Sequence, residues 1–85
     1  PTDATEPRVP AARFLVWTRE GCALCDEFIA ELAAVLPDFE VRDVDEDDRA
    51  RRRHGLKVPV LTCDGSVVCH GRLDRDAILR LARAR

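Results

Sequence analysis

Eighty-five residues, 46% of them apolar and 35% charged, are enough for one packed core and leave no room for a second. A net charge of −2 excludes a global field directed at nucleic acid, and no stretch approaches the ~18–20 apolar residues that span a bilayer. Four cysteines would allow two structural disulfides. The apolar content makes such staples unnecessary, and two of the four stand as Cys22-Ala23-Leu24-Cys25, a spacing that favours redox chemistry in a reducing compartment.

Residues 1–12, with Pro1, Pro7 and Pro10 and no apolar h-region, read as a flexible lead-in and not as an intact signal peptide. A single domain is expected over residues 13–85. Arg13 to Thr18 predicts a strand with apolar side chains on both parities, as in a central position covered on both faces. Arg19-Glu20-Gly21 reads as a turn. A helix is expected from about Cys22 to Leu36, because Phe28, Leu32, Val35 and Leu36 recur at helical spacing while Glu27 and Glu31 take the wet face; Pro37 ends it.

Phe39 to Val44 predicts a second strand, poorer in apolar residues and so near an edge, parallel to the first through a right-handed crossover. Asp45 to Asp48 offer N-caps for a short helix, Arg49 to His54, with Gly55 expected at C′. Asp64-Gly65 between Val60-Leu61-Thr62-Cys63 and Ser66-Val67-Val68-Cys69 marks a two-residue type I′ hairpin. In that register Cys63 faces Ser66, Cys69 faces Val60, and the two thiols point to opposite faces of the sheet. The last helix is expected to start at Asp74 as N-cap, with Leu73 and Ile78 as a hydrophobic staple. Ile78, Leu81 and Ala82 would form its apolar stripe, and Arg80, Arg83 and Arg85 would suit its negative end. The element order is β-α-β-α-β-β-α.

A thiol at a helix N-terminus faces unpaired backbone N–H groups and the positive end of the dipole, both of which stabilise thiolate. Arg19 would add a cation, while Asp26 and Glu27 oppose it. Cys25, a turn further on, should be more buried, so Cys22 is expected to attack a disulfide and Cys25 to resolve the mixed disulfide. The competing reading of the pair is inert core cysteines or half of a metal site. The run Arg49, Arg51, Arg52, Arg53, His54 reads as a solvated helix face ahead of a site for glutathione carboxylates or an acidic partner. Trp17 should serve as a fluorescent reporter.

Thr18 to Asp26, with its CxxC, and Gly55-Leu56-Lys57-Val58-Pro59-Val60-Leu61, followed by the Asp64-Gly65 hairpin, resemble the thioredoxin superfamily, and more closely the small glutaredoxin-like proteins. The resemblance implies an α/β fold with a four-stranded mixed sheet in order 2-1-3-4 and helices on both faces. It also implies a cis Pro59 beside the cysteines, with the Val58 backbone pairing to an extended substrate. By the same resemblance Arg19 would face a glutathione carboxylate and Asp74 the glutathione amino group. The chain departs from the glutaredoxin pattern: Ala-Leu replaces Pro-Tyr between the cysteines, Lys57 replaces Thr, and His70-Gly71 replaces Gly-Gly.

The function expected is a thiol–disulfide oxidoreductase acting on protein or glutathione mixed disulfides. It would work as a monomer in the cytoplasm, with no tightly bound cofactor, no metal, and glutathione at most as co-substrate. Neither nucleic acid nor a membrane is expected as a partner. The alternatives are a thioredoxin-fold binding module with little or no turnover and a metal or iron–sulfur carrier through Cys22.

Overall fold

The computed structural model describes residues 13–83. The lead-in over residues 1–12 and the expected contribution of Arg85 lie outside the described residues. Strand β1 (Phe14–Thr18) is followed by helix α1 (Ala23–Val35) and strand β2 (Glu40–Asp43). A 3₁₀ turn (Val44–Glu46) leads into helix α2 (Asp48–His54); strands β3 (Val60–Cys63) and β4 (Ser66–His70) and helix α3 (Arg75–Arg83) complete the chain.

The four strands form one sheet in the order β2-β1-β3-β4. β1 runs parallel to β2 and antiparallel to β3, and β4 is antiparallel to β3. The parity of β1 divides the core. Phe14 and Val16 join Phe28, Leu32 and Leu36 of the α1 segment, Leu61 of β3 and Ile78 of α3 in one cluster. Leu15 turns to the other face, where buried Thr62 donates its hydroxyl to the Leu15 carbonyl at 3.3 Å and satisfies a polar group that would otherwise be costly. Ala50 of α2 is buried, and it lines a cavity on this face together with Leu15, Trp17 and Thr62.

Several expectations are corrected in detail. β2 is a four-residue edge strand, and Val44 leaves it to open the 3₁₀ turn, where its side chain is fully buried. Gly55 is the C-cap of α2 in the right-handed region (φ −57°), not a left-handed C′ residue. A Cβ there would lie 2.5 Å from the Arg51 carbonyl oxygen, so close approach, and not a positive φ, requires glycine. In α3, Ile78 is buried and Ala82 packs against the core, but Leu81 is 37% exposed.

The hairpin turn itself is as expected, with Asp64 and Gly65 both at positive φ (52° and 89°). Its register is not. Cys63 pairs with Ser66 and Thr62 with Val67, but Leu61 pairs with Cys69, so Val68 is an extra residue in a bulge. One extra residue reverses side-chain parity beyond it. Cys69 therefore lies on the same face as Leu61 and Cys63, and both cysteines pack against the same core cluster.

Candidate active site

The turn after β1 uses Gly21 at φ +78° to deliver Cys22 to the N-terminus of α1. Cys22 is the N-cap. Its sulfur accepts the Cys25 backbone N–H at 3.1 Å, in the place an oxygen occupies in a Ser or Asp cap. Cys22 and Cys25 are joined as a disulfide, with Cα atoms 5.2 Å apart. Their surroundings differ: Cys22 is half-buried, whereas Cys25 is 1% exposed beneath the first turn of α1. Among the described residues no group of three or more His, Cys, Asp or Glu side chains is placed to hold a metal ion.

Pro59 reaches the same end of the sheet from β3. Trp17 pairs with Val60, which sets Pro59 level with Thr18, where β1 ends and the turn to Cys22 begins. The Val58–Pro59 peptide is cis, Pro59 is buried, and its carbonyl accepts the Gly71 N–H at 2.8 Å. This bond ties the β4–α3 turn to the proline. Asp74 lies beyond that turn and caps α3, accepting the Ala77 N–H at 3.1 Å. Leu24, Glu27 and Glu31 of α1 and Gly71, Arg72 and Leu73 of the turn line a groove of about 390 Å³.

Arg19 is placed otherwise than as a lone cation beside Cys22. Its Nε and Nη2 donate to the two carboxylate oxygens of Asp45 at 2.8 and 3.0 Å, and Nη1 donates to the Gly55 carbonyl at 2.7 Å. The guanidinium thus clamps the β1–α1 turn to both ends of the α2 segment. The bidentate bond from Arg19 holds the Asp45 carboxyl below its usual range and raises the Arg19 guanidinium. Nothing in the sequence names Asp45 as the partner, because the two residues are 26 positions apart.

His54 stacks on Trp17, with ring centroids 6.3 Å apart and planes inclined by 28°. Burial, with the neighbouring Arg53 and Lys57 charges, lowers its pKa and favours the neutral imidazole. Burial pushes the Cys69 thiol up, the opposite of what an attacking cysteine requires.

Strand order, cis-proline and a cysteine-capped helix at one end of the sheet define a thioredoxin-superfamily, glutaredoxin-like protein. The chain belongs to the glutaredoxin-like domain family (DUF836), whose model matches residues 13–81. It is similar to the protein Ne2328 from Nitrosomonas europaea, known from a solution NMR structure, with 32% identity and a TM-score of 0.74 over 88% of this chain and 95% of that one. It is also similar to the protein XcR50 from X. campestris, with 25% identity and a TM-score of 0.68 over 85% and 97% of the two chains. The holo form of glutaredoxin C1 from Populus tremula x tremuloides shares the fold, with 18% identity and a TM-score of 0.54 over 87% of this chain and 77% of that one. No curated protein matches the chain. The family and the Cys22–Cys25 pair fit a thiol redox role. No helix among the described residues is long and apolar enough to cross a membrane.

Proposed function

We propose that the protein is a thiol–disulfide oxidoreductase that reduces disulfides in proteins and glutathione mixed disulfides. The observation that carries this reading is the asymmetry of the pair: a half-buried Cys22 capping a helix, bonded to a Cys25 that solvent does not reach. In the reduced protein the helix N-terminus stabilises a Cys22 thiolate. That thiolate attacks one sulfur of the substrate disulfide, and the other sulfur leaves as a thiolate and takes up a proton. Cys25 then loses its proton and attacks Cys22, which releases the second substrate thiol. The substrate gains two electrons and two protons. The protein ends as the Cys22–Cys25 disulfide.

An external thiol must return those electrons, and glutathione is the reductant and co-substrate we assign to that step. Val58 is the backbone partner for an extended substrate in this reading: no described residue hydrogen-bonds to its N–H or C=O. Two exposed apolar residues favour a protein substrate. Leu24, between the cysteines, is 49% exposed, and Leu56, beside the Gly55 that Arg19 holds, is fully exposed. Asp74 retains a role toward an amino group only through the carboxylate oxygen not spent on its cap. The proposed state is a monomer acting in a reducing compartment.

Mixing reduced protein with a glutathionylated peptide while following Trp17 emission tests the reading. Wild type should exchange at least tenfold faster than a simple thiol of similar pKa, as a positioned thiolate does, and Cys22→Ser should abolish turnover. Exchange no faster than that thiol would favour a binding module that uses the same end of the sheet.

A further inference from the structure

The arginine run of α2 is split by the fold. Arg51 turns to Asp48 at 2.9 Å, whereas Arg49 and Arg53 line the face of the sheet opposite the main core. Two cavities of about 210 and 470 Å³ adjoin there and share Arg53, His54 and Gly65; Arg49 lines the smaller one. The first is lined also by Trp17 and Thr62 and reaches Arg13; the second continues past Lys57 to His70. No Asp or Glu lines either cavity. Three acidic residues at the start of α2 and just before it are otherwise engaged: Asp45 binds Arg19, Asp47 caps the Ala50 N–H and Asp48 takes Arg51. Among the described residues, Arg49, Arg53 and Lys57 make no ion pair.

We propose that this cationic trough is a docking surface for an acidic segment of the protein whose disulfide the Cys22–Cys25 dithiol reduces, an inference that rests on the redox reading above. The trough follows β3 from the hairpin toward Val60, a run of four residues or about 13 Å, which accommodates three or four residues of extended peptide. Its far end, at Lys57 and His70, adjoins Pro59: Val60 pairs with His70, and Lys57 is two residues before the proline. A segment leaving the trough there enters the end of the sheet that carries Cys22. Uncompensated cations within ~10 Å of one another attract a short anionic strand most strongly at low salt. A nucleic acid fits the surface less well. Its charge would extend past the short trough, beyond Trp17, onto the neighbouring cavity lined by Asp43, Glu46 and Asp47, which repel it.

The test uses the oxidised protein, whose closed disulfide cannot reduce a partner. The peptide acetyl-Gly-Glu-Glu-Asp-Glu-Gly-amide should produce a saturable change in Trp17 emission. Its Gln/Asn counterpart should bind about tenfold more weakly, and Arg49→Glu/Arg53→Glu should lose the preference. Both arginines are exposed, so the fold should persist by circular dichroism; Arg49→Gln/Arg53→Gln should fall between. A second arm compares two peptide disulfides, one with acidic and one with neutral flanks, as substrates of reduced protein. The acidic one should react about tenfold faster in kcat/KM, and the ratio should fall to one in the charge-reversed variant. Equal binding of the two peptides, or reduction of both disulfides at the same measurable rate, overturns the docking proposal, and measurable reduction leaves the dithiol reading standing. Binding of the acidic peptide without reduction of either disulfide supports the trough and defeats the redox reading. Saturation by oligothymidylate without binding of the acidic peptide overturns the proposal.

Discussion

Cys22 is a helix cap and, in the proposed reaction, also the nucleophile. The hydrogen bond that its sulfur accepts from Cys25 N–H is the kind of contact that favours thiolate over thiol once the disulfide opens, since a charged acceptor makes the stronger bond. Arg19 supports this geometry indirectly, by anchoring the turn that leads to Cys22. Because it is bound to Asp45, the Asp45 carboxyl is held below its ordinary pKa. Such a group contributes stability that is present above its unfolded pKa and is lost as the pH falls through the folded one. The difference in urea midpoint between wild type and Asp45→Ala should therefore be constant from pH 7 to about 5 and close below about pH 4. A gap that persists to pH 2 would mean that the pair is not its source. Both side chains are more than a third exposed, so solvent screening keeps the contribution small.

At the level of elements, the packing of α2 depends on one glycine. A Cβ at Gly55 meets the Arg51 carbonyl at 2.5 Å and Arg19 Nη2 at 3.3 Å, and the first contact is backbone that cannot swing away. Gly55→Ala should lower stability by about 1–3 kcal/mol in denaturant titrations and loosen the Arg19 clamp, although alanine is the better helix former. A neutral or stabilising effect would show that the end of α2 relaxes freely. The helix starts were legible because caps are local: Asp47 and Asp74 accept from the N–H groups three residues on. The hairpin was legible for the same reason, since Asp-Gly is chosen for positive φ at both turn positions. The bulge at Val68 was not, because an extra valine in an apolar run leaves the pattern of β-branched residues unchanged. It is this residue that moves Cys69 to the face of Cys63 and defeats a parity argument based on a regular ladder.

For the molecule as a whole, local signals were enough to read four strands and three helices in order: apolar runs and the Asp64-Gly65 turn for strands, helical spacing for α1 and α3, and caps for α2. Contacts between elements were not readable. Arg19 with Asp45 and Gly55, Trp17 with His54, and the separation of Arg49 and Arg53 from Arg51 are products of chain crossing, and no local pattern encodes them. The resulting molecule concentrates its chemistry at one end of the sheet. Cys22 is delivered by β1, Pro59 by β3, and the Gly71 turn by β4, with the cationic trough leading toward them along the α2 face. The most direct test of the central claim, a Cys22 nucleophile resolved by Cys25, is to mix reduced Cys25→Ser with a disulfide-linked peptide and map the adduct by mass spectrometry. A single mixed disulfide on Cys22, stable in Cys25→Ser and absent from wild type, is the predicted result. No adduct, or an adduct on Cys63 or Cys69 in place of Cys22, would contradict it.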